Sequence, residues 1–100
     1  MIQGWTDMSK GVEVKQAAYG NEATVLYNGL LSRSGADQIF LHLGYGDPNQ
    51  WQNVTTQKMD PTNRGWEKTV RMTDNKATFC FKDSASNWDN NSGHNWIVRS

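Results

Sequence analysis

Apolar and polar residues alternate with a period of two over most of this chain, and its β-branched and aromatic residues fall into short runs separated by Gly, Asn, Asp and Pro. Such a pattern predicts an all-β fold with almost no helix. Val12 and Val14 alternate in a first strand near residues 11–17, and Ala23–Leu31 (ATVLYNGLL) predicts a second, closed by Ser32-Arg33-Ser34-Gly35. A third strand runs through Gln38–Tyr45, where QIFLHLGY sets Ile39, Leu41 and Leu43 on one face and Phe40, His42 and Gly44 on the other. The leucine face is the expected core side, so His42 points away from it. After the loop Gly46–Gln50 comes a short strand near Val54–Met59. The next, Trp66–Met72, separates Trp66, Lys68, Val70 and Met72 from Glu67, Thr69 and Arg71. Ala77–Lys82 and His94–Val98 complete the set. Seven short strands of this kind, with turn signals between them, specify an immunoglobulin-like β-sandwich of antiparallel strands. The 100 residues are expected to form one domain with its core between about residues 10 and 98.

Charge narrows the partners. Ten basic residues balance ten acidic ones and are scattered along the chain, so there is no electrostatic footprint for nucleic acid or for an anionic membrane. A neutral partner fits better. Cys80 is the only cysteine, which rules out an internal disulfide, and its place between Phe79 and Phe81 marks it as a strand thiol rather than a nucleophile. With two histidines, His42 and His94, and one cysteine, no zinc-like ligand spacing exists, and the Asp and Asn residues near Asp83 and Asp89 do not form a twelve-residue calcium loop. Neither a metal nor another cofactor is expected. No apolar leader follows Met1 and no run is long enough to span a bilayer.

Five tryptophans exceed what a core of this size requires. Trp66 and Trp96 lie in strand patterns and are expected in the core, whereas Trp5 belongs to a polar segment and is left unassigned. Trp51 and Trp88 stand in polar loops. Trp88 lies within Asp83–Asn95 (DSASNWDNNSGHN), among short polar side chains. An indole beside asparagine amides suits a neutral ligand with an apolar face and a rim of hydroxyls, such as a sugar ring, although an Asx-rich turn carrying a tryptophan would read the same. His42 lies just before Trp51 and could hydrogen-bond a sugar hydroxyl, with Tyr45 at the same strand end; alternatively it is an ordinary surface histidine. Asp47, Asp83 and Asp89 each have a turn-forming role, and no nucleophile–base spacing is visible, so catalysis is not expected.

The runs IFLHLGYGDPNQWQNVTTQKM (Ile39–Met59), GWEKTV (Gly65–Val70) and FCFKDSASNWDNNSGHNW (Phe79–Trp96) together resemble the starch-binding carbohydrate-binding modules of family 25 and their relatives in family 53. The pattern is a strand carrying Leu-His-x-Gly, a loop tryptophan, a methionine before a Gly-x-Trp strand, and a phenylalanine-rich strand leading to Trp-Asp-Asn-Asn. This resemblance implies non-catalytic binding of α-1,4-glucans such as starch, maltooligosaccharides or glycogen, with Trp51 and Trp88 stacking, His42 hydrogen-bonding, and Asn90 and Asn91 matching the paired asparagines. Tyr45 joins this set by its position beside His42. The sequence departs from the pattern at Asn95-Trp96, where many members have Asn-Tyr, and in a slightly long loop before Trp51. The implied partner is an α-glucan, with a linked or associated amylolytic enzyme. Taken as a native start, Met1 implies a cytoplasmic protein; an excised module of a secreted amylase would be extracellular. A sandwich that docks another protein through exposed aromatics is the alternative function.

Overall fold

Most of the main strands have one apolar face that must be covered, and the chain solves this by laying two antiparallel sheets against each other. The computed structural model describes residues 2–17, 20–47 and 49–100; Met1, and Pro48 in the loop expected at Gly46–Gln50, lie outside the described residues. Its elements are β1 Trp5–Asp7, β2 Val12–Gln16, β3 Glu22–Tyr27, α1 Leu30–Arg33, β4 Ile39–Tyr45, β5 Gln52–Lys58, β6 Asp60–Thr62, β7 Gly65–Arg71, β8 Lys76–Asp83, β9 Trp88–Asp89 and β10 Trp96–Arg99. One sheet has the order β1-β2-β3-β7-β6 and the other β10-β8-β4-β5, with β9 also pairing β8. The sandwich and its antiparallel pairing are as the alternation predicts. Val12, Val14, Val25 and Tyr27 from the first sheet meet Ile39, Leu41, Leu43, Phe79 and Phe81 from the second, all essentially removed from water.

The second expected strand is corrected: it ends at Tyr27, and Leu30–Arg33 form a single helical turn. Two constraints turn the chain there. Asn28 N donates to Gly11 O at 2.7 Å, and Gly29 lies so close to Lys10 and Tyr27 that an added Cβ would stand 2.4 Å from Lys10 O. Leu31 is then buried and its backbone N–H donates to the Tyr27 hydroxyl at 3.0 Å, while Leu30 stays exposed. β1, β6 and β9, of two or three residues each, were not expected because so few positions carry no period.

Trp96 is buried, with its ring centroid 5.4 Å from that of Phe81 and 6.3 Å from that of Phe79, and its indole N–H donates to Asp7 Oδ2 at 3.3 Å. Trp5 stacks on Phe79 at 6.2 Å and donates to Ile97 O at 3.0 Å. The first and last strands are thereby tied, and Gln3 N donates to Arg99 O at 2.8 Å. Trp66 packs against the core but keeps part of its ring in water. Among the described residues no helix is long and apolar enough to cross a membrane. Trp96→Ala is expected to destabilise the fold by about 3–5 kcal/mol, the usual range for emptying an aromatic core site, and Trp66→Ala by less. Urea denaturation of the two variants beside the parent would measure both.

Candidate functional site

The pleat of β4 sets the site. Ile39, Leu41 and Leu43 point into the sandwich, so Phe40, His42 and Gly44 lie on the outer face of the second sheet. His42 is paired across to Thr56 of β5 and Cys80 of β8, and directly opposed residues share a face. The imidazole Nδ1 lies 2.8 Å from Thr56 Oγ1, and Nε2 has no protein partner among the described residues. Burial holds the imidazole pKa below its ordinary value, and the Lys82 ammonium pushes it the same way, so the ring is neutral at neutral pH. Cys80 is buried on this face. Desolvation, helped by the Asp89 carboxylate, pushes its thiol up to about 11, which leaves it protonated and unreactive.

Trp51, just before β5, reaches this face over Gly44. A Cβ on Gly44 would stand 2.7 Å from Trp51 Cβ and 2.9 Å from its Cε3, so only glycine leaves room for the indole. With that room, the Trp51 ring sits 5.6 Å from the His42 ring, tilted by 34°. Trp88 arrives from the other side of the strand order. In β9 it pairs with Lys82 and faces outward, while its neighbour Asp89 faces inward opposite Phe81. Its ring is 5.2 Å from His42, nearly edge-on at 83°. The loop before it is closed by the Asp83 carboxylate, which accepts from Ala85 N at 2.9 Å and from Asn87 N at 2.8 Å and Nδ2 at 3.0 Å. Those bonds, the Asn87 side chain foremost, hold the Asp83 pKa below the usual carboxylate range. Asp89 accepts a 2.6 Å hydrogen bond from the buried Tyr27 hydroxyl.

The structure therefore brings His42, Trp51 and Trp88 together on one exposed face. It does not bring Tyr45 to them. Tyr45 has the parity of Leu43, packs in the core, and donates its hydroxyl to Arg71 O at 3.0 Å. Asn90 and Asn91 shape the next turn: Asn90 Oδ1 accepts from Gly93 N at 3.0 Å and Asn91 Nδ2 donates to Asn95 O at 3.1 Å. In that turn Asn91, Ser92 and Asn95 all adopt positive φ, a conformation that asparagine tolerates better than most residues. Two neighbours escaped the sequence reading. The Lys82 ammonium lies 4.9 Å from the Phe40 ring centroid and 5.9 Å from that of Trp88, a cation–π arrangement at the edge of the cluster. Both share the outward parity of His42 and Cys80, which was the available signal. Among the described residues no three His, Cys, Asp or Glu side chains converge to hold a metal.

The fold is an all-β sandwich of two antiparallel sheets, with Trp51 and Trp88 packed against a neutral histidine on one outer face. The chain belongs to family 53 of the starch/carbohydrate-binding modules, whose profile matches residues 23–81, more than half of it; the matched span contains His42, Gly44 and Trp51 and stops short of Trp88. It is also similar to an α-amylase of Clostridium acetobutylicum, 37% identical over 82 residues that make up 79% of this chain and 10% of the amylase. The chain thus spans about a tenth of that relative. No solved structure matches it significantly.

Gly44→Ala is expected to displace Trp51 from His42 while leaving the core side of β4 intact. Proton NMR would show it as a change in the ring-current shifts on the His42 imidazole, with the contribution of Trp88 remaining. A second expectation concerns acid. Because the folded His42 pKa lies below the unfolded value of about 6.5, the stability tied to its neutral ring is complete above that pH and is lost as pH falls through the lowered value. Urea denaturation at pH 7.5 and pH 5 should show a larger fall for the parent than for His42→Gln. The hydrogen-bonded carboxylates of Asp7 and Asp83, also held low, lose their contributions only at more acid pH.

Proposed function

We propose that this module binds α-1,4-glucans (starch, glycogen and maltooligosaccharides) without catalysing their cleavage. The observation that carries the reading is the packing of Trp51 and Trp88 against one histidine on an exposed sheet face, with ring centroids 5.6 and 5.2 Å from it. One indole plane lies 34° from the imidazole and the other 83°, so the two indoles are not parallel. A flat β-linked ribbon would need coplanar rings, whereas an α-glucan curves and can lay successive sugar faces on inclined ones. His42 Nε2 serves a sugar hydroxyl, oriented by the bond of Nδ1 to Thr56, and Asn90 and Asn91 act by fixing the loop that follows Trp88. The amylase relative supports an amylolytic enzyme, covalently linked or associated, as the protein whose substrate this module holds.

Affinity electrophoresis through gels containing amylopectin or glycogen should retard the protein relative to a blank gel and to one containing hydroxyethyl cellulose. Trp51→Ala and Trp88→Ala should each weaken maltooligosaccharide binding by tenfold or more. That corresponds to roughly 1–3 kcal/mol for a lost stacking ring, by analogy with base–aromatic stacking. Trp88 is 47% exposed, so its removal opens little cavity and should leave the unfolding midpoint nearly unchanged. Equal mobility in all four gels would sink the reading and favour a protein-docking role for the same rings.

A further inference from the structure

Two of the large apolar side chains that stand exposed, Trp88 at 47% and Leu30 at 61%, border the same cleft of about 570 Å³. The cleft lies between the α1 turn and the turn that joins β8 to β9, and Ala36, Asp37, Ser84 and Asn87 also line it. Its volume falls within the roughly 300–1,000 Å³ of small-ligand sites. Ser84 Oγ donates to Asp37 Oδ1 at 2.7 Å, which ties the two walls together, and the α1 wall is anchored by the bond from Leu31 N to Tyr27. The polar lining is made of hydroxyl, amide and carboxylate groups with no cationic side chain. Anions are therefore disfavoured, and the Asp83 carboxylate is already engaged by Ala85 and Asn87. Such a lining suits a neutral, hydroxyl-rich ligand.

We propose that this cleft is an extension subsite, which takes glucosyl units of the same α-glucan chain beyond those stacked on Trp51 and Trp88. Trp88 carries the argument, because it belongs both to the ring cluster around His42 and to the cleft wall, so a sugar chain lying on it is continuous with the cleft. Leu30 supplies a second apolar surface there, and Ser84 and Asn87 face sugar hydroxyls. The proposal rests on the glucan-binding reading of the rings and adds a length requirement to it.

Calorimetric titration with maltotriose, maltopentaose and maltoheptaose tests it, on the parent and on Leu30→Ser and Ala85→Lys. Leu30 and Ala85 are exposed, so neither change opens the core, and Ala85 lines the cleft. The expected result is an affinity that rises with length in the parent, and a loss of about fivefold for maltoheptaose in both variants, equivalent to roughly 1 kcal/mol, with maltotriose within twofold of the parent. Affinity independent of length in the parent, or a length gain that survives in both variants, would overturn the extension subsite while leaving the ring site standing. If no maltooligosaccharide binds the parent, the glucan reading itself fails and the subsite falls with it.

Discussion

The short hydrogen bond from Tyr27 to Asp89 holds this molecule's two sheets and its exposed face in one frame. The phenol comes from β3 of one sheet and the carboxylate from β9 beside the other, 2.6 Å apart and both buried. A hydroxyl donating to a carboxylate in a dry interior is among the stronger protein hydrogen bonds, and without it Asp89 would be a buried charge left unpaired. Desolvation raises the Tyr27 pKa well above its ordinary value, so the proton stays on the phenol that must donate it. The same oxygen accepts from Leu31 N at 3.0 Å, and the ring stacks on Phe81 at a centroid distance of 4.1 Å. One side chain thus fixes the helical turn, the core and the two-residue strand that presents Trp88.

The ring cluster follows from that frame and from a second, steric condition. β9 alternates like any strand, so an inward anchor at Asp89 obliges Trp88 to face outward, beside Lys82 and toward His42. On the other flank the missing side chain of Gly44 leaves the room that the Trp51 indole occupies. The face is consequently organised by the fold itself. Under the proposed function, rings already held in place would lose little freedom on binding, which favours affinity from a small contact area.

Much of this was readable from the chain itself. The period-two pattern located seven of the strands and the inward set Ile39, Leu41 and Leu43, because burial of one face of a sheet imposes that pattern directly. The outward position of His42 followed from the same parity. Tyr45 is near His42 in sequence, but its parity, shared with Leu43, assigns it to the core. Leu30 and Leu31 continue an apolar run, which predicts a longer second strand than the one that forms. What ends it at Tyr27 is tertiary: the crowding of Gly29 by Lys10 and the bond from Leu31 to a tyrosine hydroxyl. Phe40 and Lys82 each read in sequence as ordinary strand residues, and only the folded position of Trp88 joins Lys82 to the ring cluster. Asn90 and Asn91 looked like ligand contacts, yet the turn itself draws on one end of each amide.

The bond between Gln3 N and Arg99 O places the start of the first sheet and the end of the second within 2.8 Å of each other. Trp5 and Trp96 lock that junction by donating to Ile97 and Asp7 across it. The chain therefore enters the sandwich before β1 and leaves it after β10 at one point. Such a body can be spliced into a loop of another domain without forcing its host apart, and its own chain could be closed there and reopened at a surface turn. In any such arrangement the orientation of the two bodies would be governed by the stiffness of the joining segments and not by a rigid span between distant ends.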